Sequence, residues 1–312
     1  MHRLPFIPAP RIRKAFTLVE LIVSMAVLVV IIIMISQLLN SAQRITGNQG
    51  RQMDADAQAG AVFDRMSIDF AQMVKRPDVD YFLKEPANPQ TGNDQLAFYS
   101  QVPGYYPASF AGSRNPVSLI AYRVGPVGTD GRRLQRYGCG LAWSASSPQI
   151  KAVVFSSASL SAAPNTISEN WPAATGMGAD NDYELAGPQV FRMEYRYLLK
   201  GRVLDDGTVL PSLASAVPWD IRVDHDAVHG LRDVAAIAVT IAVIDPKSRH
   251  LVSDQELAAL VTEMDDFSDS MAPGDLEAQW QSAIDGSGLH RAAASAIRIY
   301  RRYFHLPPEP LL

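Results

Sequence analysis

From Phe16 to Gln43 the chain carries one charge, Glu20, inside FTLVELIVSMAVLVVIIIMISQLL. As a helix, Leu21 to Leu39 would be ~28 Å long, close to the ~30 Å hydrocarbon thickness of a bilayer. The sequence therefore predicts a membrane span. Residues 1–15, with Arg3, Arg11, Arg13, Lys14 and no acid, belong on the cytoplasmic side, because Lys and Arg beside a span resist translocation. The bulk of the chain is then exported. A cleaved secretory signal has a shorter apolar region and a small-x-small exit, which Asn40-Ser41-Ala42 supplies poorly. A plain anchor leaves Glu20 unexplained, since a carboxylate costs up to about 2.5–3.5 kcal/mol at the membrane centre and calls for a partner.

The whole-chain averages conceal this segment. With 312 residues, 47% apolar and 19% charged, the chain can bury a large core and is no disordered tail. A net charge of -4 offers no basic excess to displace counterions from phosphate, so no nucleic acid is expected as a partner. The single cysteine, Cys139, excludes an intramolecular disulfide and a thiolate zinc site.

Lys14-Ala15-Phe16-Thr17-Leu18-Val19-Glu20-Leu21 resembles the cleavage and methylation signature of type IV prepilins and type II secretion pseudopilins. The resemblance implies that prepilin peptidase cuts between Ala15 and Phe16, that the new amino group of Phe16 is N-methylated, and that Glu20, fifth in the mature chain, forms an assembly salt bridge with the amino terminus of a neighbouring subunit. The family's usual residue before the cut is Gly; this chain has Ala15, the next smallest. Loss of the leader removes four cations and takes the side-chain charge from -4 to -8.

Beyond the span, Ala59, Val62, Phe63, Met66, Phe70, Met73 and Val74 recur at three-and-four spacing, which predicts an amphipathic helix with one apolar stripe. Asp54, Asp56, Asp64 and Asp69 fall mostly elsewhere, Pro77 is the predicted end, and Gly47 and Gly50 predict a weakened or kinked passage. Strands are predicted at Gln95–Val102, Val117–Val124, Arg133–Trp143, Lys151–Phe155, Val190–Leu199 and Leu231–Ile244, with GPVGTDG turning the second into the third as a hairpin and Asp205-Asp206-Gly207 as another turn. In Val190–Leu199 the alternation places Phe191, Met193, Tyr195, Tyr197 and Leu199 on one face and Arg192, Glu194 and Arg196 on the other. Leu231–Ile244 reads as a central strand. Ser253 and Glu256 predict a capping box opening a helix whose Leu257, Leu260, Val261 and Met264 share one side. Ala294–Leu306 suits either helix or strand, and strand is the reading adopted.

The predicted fold class is α+β: a long N-terminal helix, half transmembrane and half amphipathic, packed on antiparallel β-sheet in a pilin-like way. Its parts are a leader (1–15), a transmembrane and filament helix (16–43), an amphipathic continuation (44–76) and an exported β-rich domain (77–312). Phe63 to Phe70, Leu96-Ala97-Phe98-Tyr99, Ile120-Ala121-Tyr122-Arg123, Leu134-Gln135-Arg136, Val190 to Tyr197 and Ala236 to Ile244 are similar to the J-type minor pseudopilins and the Verru_Chthon cassette proteins. That resemblance implies a structural subunit at or near the tip of a short periplasmic pseudopilus, held in the inner membrane by a single pass. Its implied partners are prepilin peptidase, other pseudopilins or minor pilins, an inner-membrane assembly platform and lipid. A type IV minor pilin for adhesion or DNA uptake, and an anchored periplasmic enzyme or binding protein, are the alternatives.

No enzyme activity, cofactor or metal is expected. Asp224-His225-Asp226 with His229 is the densest ligand-like cluster but reads as a polar surface loop. Asp180, Asp182 and Glu184 have a calcium-like alternation, without the glycine or distal glutamate of an EF-hand loop. Cys139, between Gly138 and Gly140, reads as a buried thiol in a strand, and GPVGTDG lacks the Lys-Ser/Thr of a nucleotide loop.

Overall fold

A computed structural model describes residues 17–74, 92–104, 117–126, 132–140, 183–203, 206–216 and 234–306. The chain divides into two compact units, Met1–Arg51 and Gln52–Leu312. Helix α1, Leu18–Ala71, supplies the described part of the first unit. Its Leu18–Ser41 portion has a mean hydropathy of 3.1 and is long and apolar enough to cross a membrane. Helical structure continues through Gly47 and Gly50, so the expected weakening there does not interrupt it.

The second unit joins the rest of α1 to two four-stranded antiparallel sheets. Strands β1 (Gln95–Ser100), β2 (Ser118–Pro126), β3 (Arg132–Gly140) and β4 (Glu184–Gly187) form the first, in sequence order. β1 stops at Ser100 rather than Val102 because Ser100 already pairs with Ser118, the first residue of β2. The predicted hairpin between β2 and β3 is present as antiparallel pairing from Ser118↔Gly140 to Pro126↔Arg132. Residues 127–131 of its turn, Trp143 and the predicted strand Lys151–Phe155 lie outside the described residues.

The second sheet has the order β10-β9-β5-β8, with β5 at Val190–Leu199, β8 at Ala214–Ser215, β9 at Val234–Ile244 and β10 at Ile297–His305. β9 is interior, as its run of Val, Ile and Ala predicts, and Ala294–Leu306 does yield a strand. A small hairpin, β6 (Arg202–Val203) and β7 (Val209–Leu210), turns through Gly207 at φ +84°, a conformation that glycine adopts without the Cβ clash. There the Thr208 N–H donates to Asp206 Oδ1 at 2.8 Å.

Four helices follow or interrupt the last strands: α2 (Pro246–Arg249), α3 (Asp254–Glu263), α4 (Asp275–Gly286) and α5 (Arg291–Ala294). α3 opens on the predicted capping box: Ser253 Oγ accepts the Glu256 N–H at 3.2 Å and Glu256 Oε2 accepts the Ser253 N–H at 2.8 Å.

The second sheet is the middle layer. One face meets the α1 stripe and the first sheet, where Val62, Met66, Phe70, Phe98, Ile120, Tyr195 and Ile241 share a core. The other face meets α3 and α4, where Leu257, Leu260, Trp280 and Ile284 close over Phe191 and Ala242. Phe191 therefore departs from the predicted alternation. The register of β5 against β9 shifts between Val190 and Arg192, and a bulge of one residue reverses the side-chain direction across it. Val190 joins Met193, Tyr195, Tyr197 and Leu199 in the core beside α1, and Phe191 joins the helices.

The helix also ends before the proline expected to end it. α1 stops at Ala71, where Met73 bridges to Ser100 and the Val74 N–H donates to Tyr99 O at 2.8 Å. Pairing with the sheet edge replaces the helical hydrogen bonds. Pro77 lies outside the described residues.

Candidate functional site

The predicted site residues cluster at the start of α1. Ala15 and Phe16 lie outside the described residues; Thr17 and Glu20 lie within them. Glu20 Oε2 accepts the Thr17 N–H at 2.9 Å and the Thr17 hydroxyl at 3.0 Å, while Thr17 Oγ1 accepts the Glu20 N–H at 3.3 Å. This is a reciprocal capping box, which satisfies otherwise orphaned donors at a helix start. The helix dipole also favours a negative charge there. Glu20 thus has a local partner that the sequence reading did not assign, besides the intersubunit amine that the resemblance implies. Ser24 Oγ adds a bond to Glu20 O at 2.6 Å.

C-terminal to this start, Leu21, Ile22, Val23, Met25 and Val27 are all exposed. An apolar surface of this kind is stable only against lipid or other protein. The first unit therefore presents an apolar helix whose one acid sits at its N-terminal turn.

The second unit holds its share of α1 by a buried charge. Asp69 is fully buried, with Oδ2 accepting Arg136 Nε at 2.7 Å and the Tyr122 hydroxyl at 2.5 Å, and Oδ1 accepting Arg136 Nη2 at 3.0 Å. Arg136 Nη1 also reaches Glu184 at 2.8 Å. Burial works against the Arg136 charge, yet the hydrogen bonds and charge of Asp69 outweigh it and hold the guanidinium more firmly protonated than usual. Burial, then the neighbouring Asp69 carboxylate, raises the Tyr122 hydroxyl well above its ordinary range. The sequence reading missed Asp69 by grouping it with the other acids of the helix. Its spacing was the available signal, because Asp69 lies three residues after Met66 and four before Met73 and so falls on the stripe.

A second buried network was also missed. Arg192 and Glu194, read as one polar face of β5, are fully buried beneath α3 and α4. Arg192 Nη2 bonds Asp266 Oδ1 at 2.5 Å and lies 3.4 Å from Glu194 Oε2, and its guanidinium sits 5.0 Å from the Trp280 ring centroid. Glu194 Oε1 accepts the Phe267 N–H at 2.9 Å. The apolar side of the capping-box helix was the available signal, since it required a sheet face to cover.

Among the weaker sites, Glu184 is engaged by Arg136, while Asp180 and Asp182 of the calcium-like alternation lie outside the described residues. Asp224, His225, Asp226 and His229 lie outside them as well. Cys139 is in β3 as predicted but half-buried rather than buried, its thiol facing Gly140 O at 3.6 Å. Among the described residues no three His, Cys, Asp or Glu side chains converge as metal ligands.

Residues 10–36 match the family model described as the prokaryotic N-terminal methylation motif. The matched segment covers the basic residues before Phe16, the capping box and most of the apolar helix, and it supports a type IV pilin-like or pseudopilin-like N-terminus. No curated protein matches the chain.

Proposed function

We propose that this chain is a non-enzymatic structural subunit, a minor pseudopilin of a type II secretion-like or type IV pilus-like machine. The observation that carries the reading is a methylation motif laid over an exposed apolar helix whose single acid occupies its first turn. The leader stays in the cytoplasm, the helix crosses the inner membrane once, and the β-rich unit lies in the periplasm. Prepilin peptidase cuts between Ala15 and Phe16, and Phe16 is N-methylated.

Cleavage does two physical things. It removes four cations that oppose extraction of the helix from the membrane, and it creates an amine that Glu20 of a neighbour can pair with in lipid. Glu20 then exchanges part of its bonding to Thr17 for that amine. The apolar surface of the helix passes from lipid to other subunits, and the Asp69–Arg136 pair keeps the polar half of the helix fixed on its sheets while the assembly platform pulls.

Co-expression with a prepilin peptidase followed by intact-mass measurement tests the reading. Loss of residues 1–15 and gain of one methyl are expected. A chain that keeps Ala15 refutes it.

A further inference from the structure

A cleft of about 240 Å³ opens on the helical side of the second sheet, between β5, β8, β9, β10 and the loop that joins α3 to α4. Arg196, Phe267, Asp269, Met271, Pro273 and Tyr303 line it. Arg196 is buried, with its guanidinium carbon 5.0 Å from the Phe267 ring centroid. Its Nη2 stands 3.6 Å from Glu277 Oε1, beyond hydrogen-bond distance. Arg301 and Thr240 reach that same oxygen at 3.0 and 3.3 Å. Among the described residues no hydrogen bond engages the Arg196 guanidinium. A buried donor without an acceptor is costly, so an acceptor that enters the cleft is favoured.

The charges at the cleft cancel, Arg196 and Arg301 standing against Glu277 and Asp269. Neither an acid nor a cation gains there, which makes the fitting occupant uncharged. Its size is also bounded: pockets for small molecules hold about 300–1,000 Å³, and this one, at about 240 Å³, holds a single side chain. Phe267, Met271 and Pro273 make apolar walls, while Arg196 asks for an oxygen. Tyrosine joins a flat apolar ring to a neutral oxygen at its tip.

We propose that the cleft receives a tyrosine side chain presented by another polypeptide, with the phenol oxygen accepting from Arg196 and the ring packed against Phe267, Met271 and Pro273. The Met271 sulfur adds a favourable contact to an aromatic ring. The phenol O–H has Asp269 as its acceptor, because a carboxylate accepts several bonds and the Ala216 N–H, at 2.8 Å, takes one. A phenylalanine would fill the walls and leave Arg196 as it is; a glutamate would meet Asp269. Buried aromatic anchors of this kind carry much of the binding energy of protein interfaces. The inference concerns Gln52–Leu312 alone and does not depend on the prepilin reading.

The full chain in detergent micelles, carrying isotope-labelled methionine methyl groups, is titrated with capped glycine peptides that hold one Tyr, Phe, Glu or Lys at the centre. The Met271 methyl resonance, identified by its loss in Met271→Leu, reports occupancy of the cleft; in the variants the peptide's own resonances report binding. The Tyr peptide should bind saturably and at least about tenfold more tightly than the Phe peptide, the discrimination that one hydrogen bond to a charged donor supplies. The Glu and Lys peptides should bind no more tightly than the Phe peptide. Arg196→Met should bring the Tyr peptide down to the level of the Phe peptide and leave the latter unchanged. Should that variant not fold, Met271→Trp should fill the cleft and abolish binding of both peptides at an unchanged melting temperature. Equal binding of the Tyr and Phe peptides, tightest binding of the Glu or Lys peptide, no saturable shift at Met271, or a Tyr preference that survives Arg196→Met or Met271→Trp would overturn the proposal. So would a Met271 shift on concentrating the chain alone, which would mark a second copy as the occupant.

Discussion

Replacing Asp69 by Asn should destabilise the second unit by about 3 kcal/mol, because it leaves a cation buried without its principal counter-charge. Asp69 accepts two bonds from Arg136 and one from Tyr122 at 2.5–3.0 Å, and its side chain is fully buried. Breaking such a pair on one side ordinarily costs about 3–5 kcal/mol. The lower end applies here, since Glu184, 59% exposed, still reaches Arg136 Nη1 at 2.8 Å. For a unit of this size the loss corresponds to a fall of roughly 6–12 °C in melting temperature. Near-UV circular dichroism of the full chain in detergent would follow it, because the apolar helix contains no aromatic residue from Thr17 to Ser41. Tyr122→Phe should cost less, about 1.5–2 kcal/mol, by removing one hydrogen bond to a charged acceptor. Asp69→Leu combined with Arg136→Met and Tyr122→Phe should recover most of the loss, because an apolar set carries no ionic desolvation penalty and leaves no buried hydroxyl without its acceptor. A loss below about 1 kcal/mol for Asp69→Asn, or a triple variant no more stable than the single one, would show that the pair does not hold the helix to the sheet.

Gly187→Ala places a Cβ 2.8 Å from Val190 Cγ2, 2.9 Å from Val62 Cγ2 and 3.2 Å from Leu134 Cβ; the crowding between α1 and both sheets should cost about 1–3 kcal/mol in urea unfolding. Raising the pH should destabilise the fold once it passes the ordinary tyrosine value of 10.0, because burial raises both Tyr122 and Tyr195 above it. A group with a raised folded value contributes fully below the unfolded one and loses that contribution as pH climbs toward the folded one. Melting curves should therefore be level up to about pH 9 and fall beyond about pH 10, and phenolate absorbance from these two residues should appear only with unfolding. Glu20→Ala should leave insertion and leader cleavage intact yet weaken co-purification with neighbouring subunits; undiminished association would remove the salt-bridge role.

The parts legible in the sequence are those written within a few residues of one another. Twenty-eight residues with one charge specify a long apolar helix, and Ser253 with Glu256 writes a helix start within a single turn. Alternation marked β5, and the run of Val and Ile marked β9 as interior. The Thr17–Glu20 box is equally local, while the resemblance of the octet implies a different partner for Glu20, the amine of a neighbouring subunit. The end of α1 was misplaced because its cause lies in a strand: Ser100 captures Met73 before Pro77 can act.

What the sequence determined by itself was the division into a basic N-terminal stretch, an apolar helix and a strand-rich remainder, because solubility in lipid and local periodicity are additive properties of neighbouring residues. The tertiary structure decided which charges are buried. Asp69 and Arg136 stand 67 residues apart, and Arg192 and Asp266 stand 74 apart, so neither member of a pair reveals the other. It also decided the bulge that turns Phe191 toward the helices. A carboxylate looks solvated until the fold places a guanidinium against it, and a bulge exists only against the strand that pairs with it; both depend on contacts between segments distant in the chain.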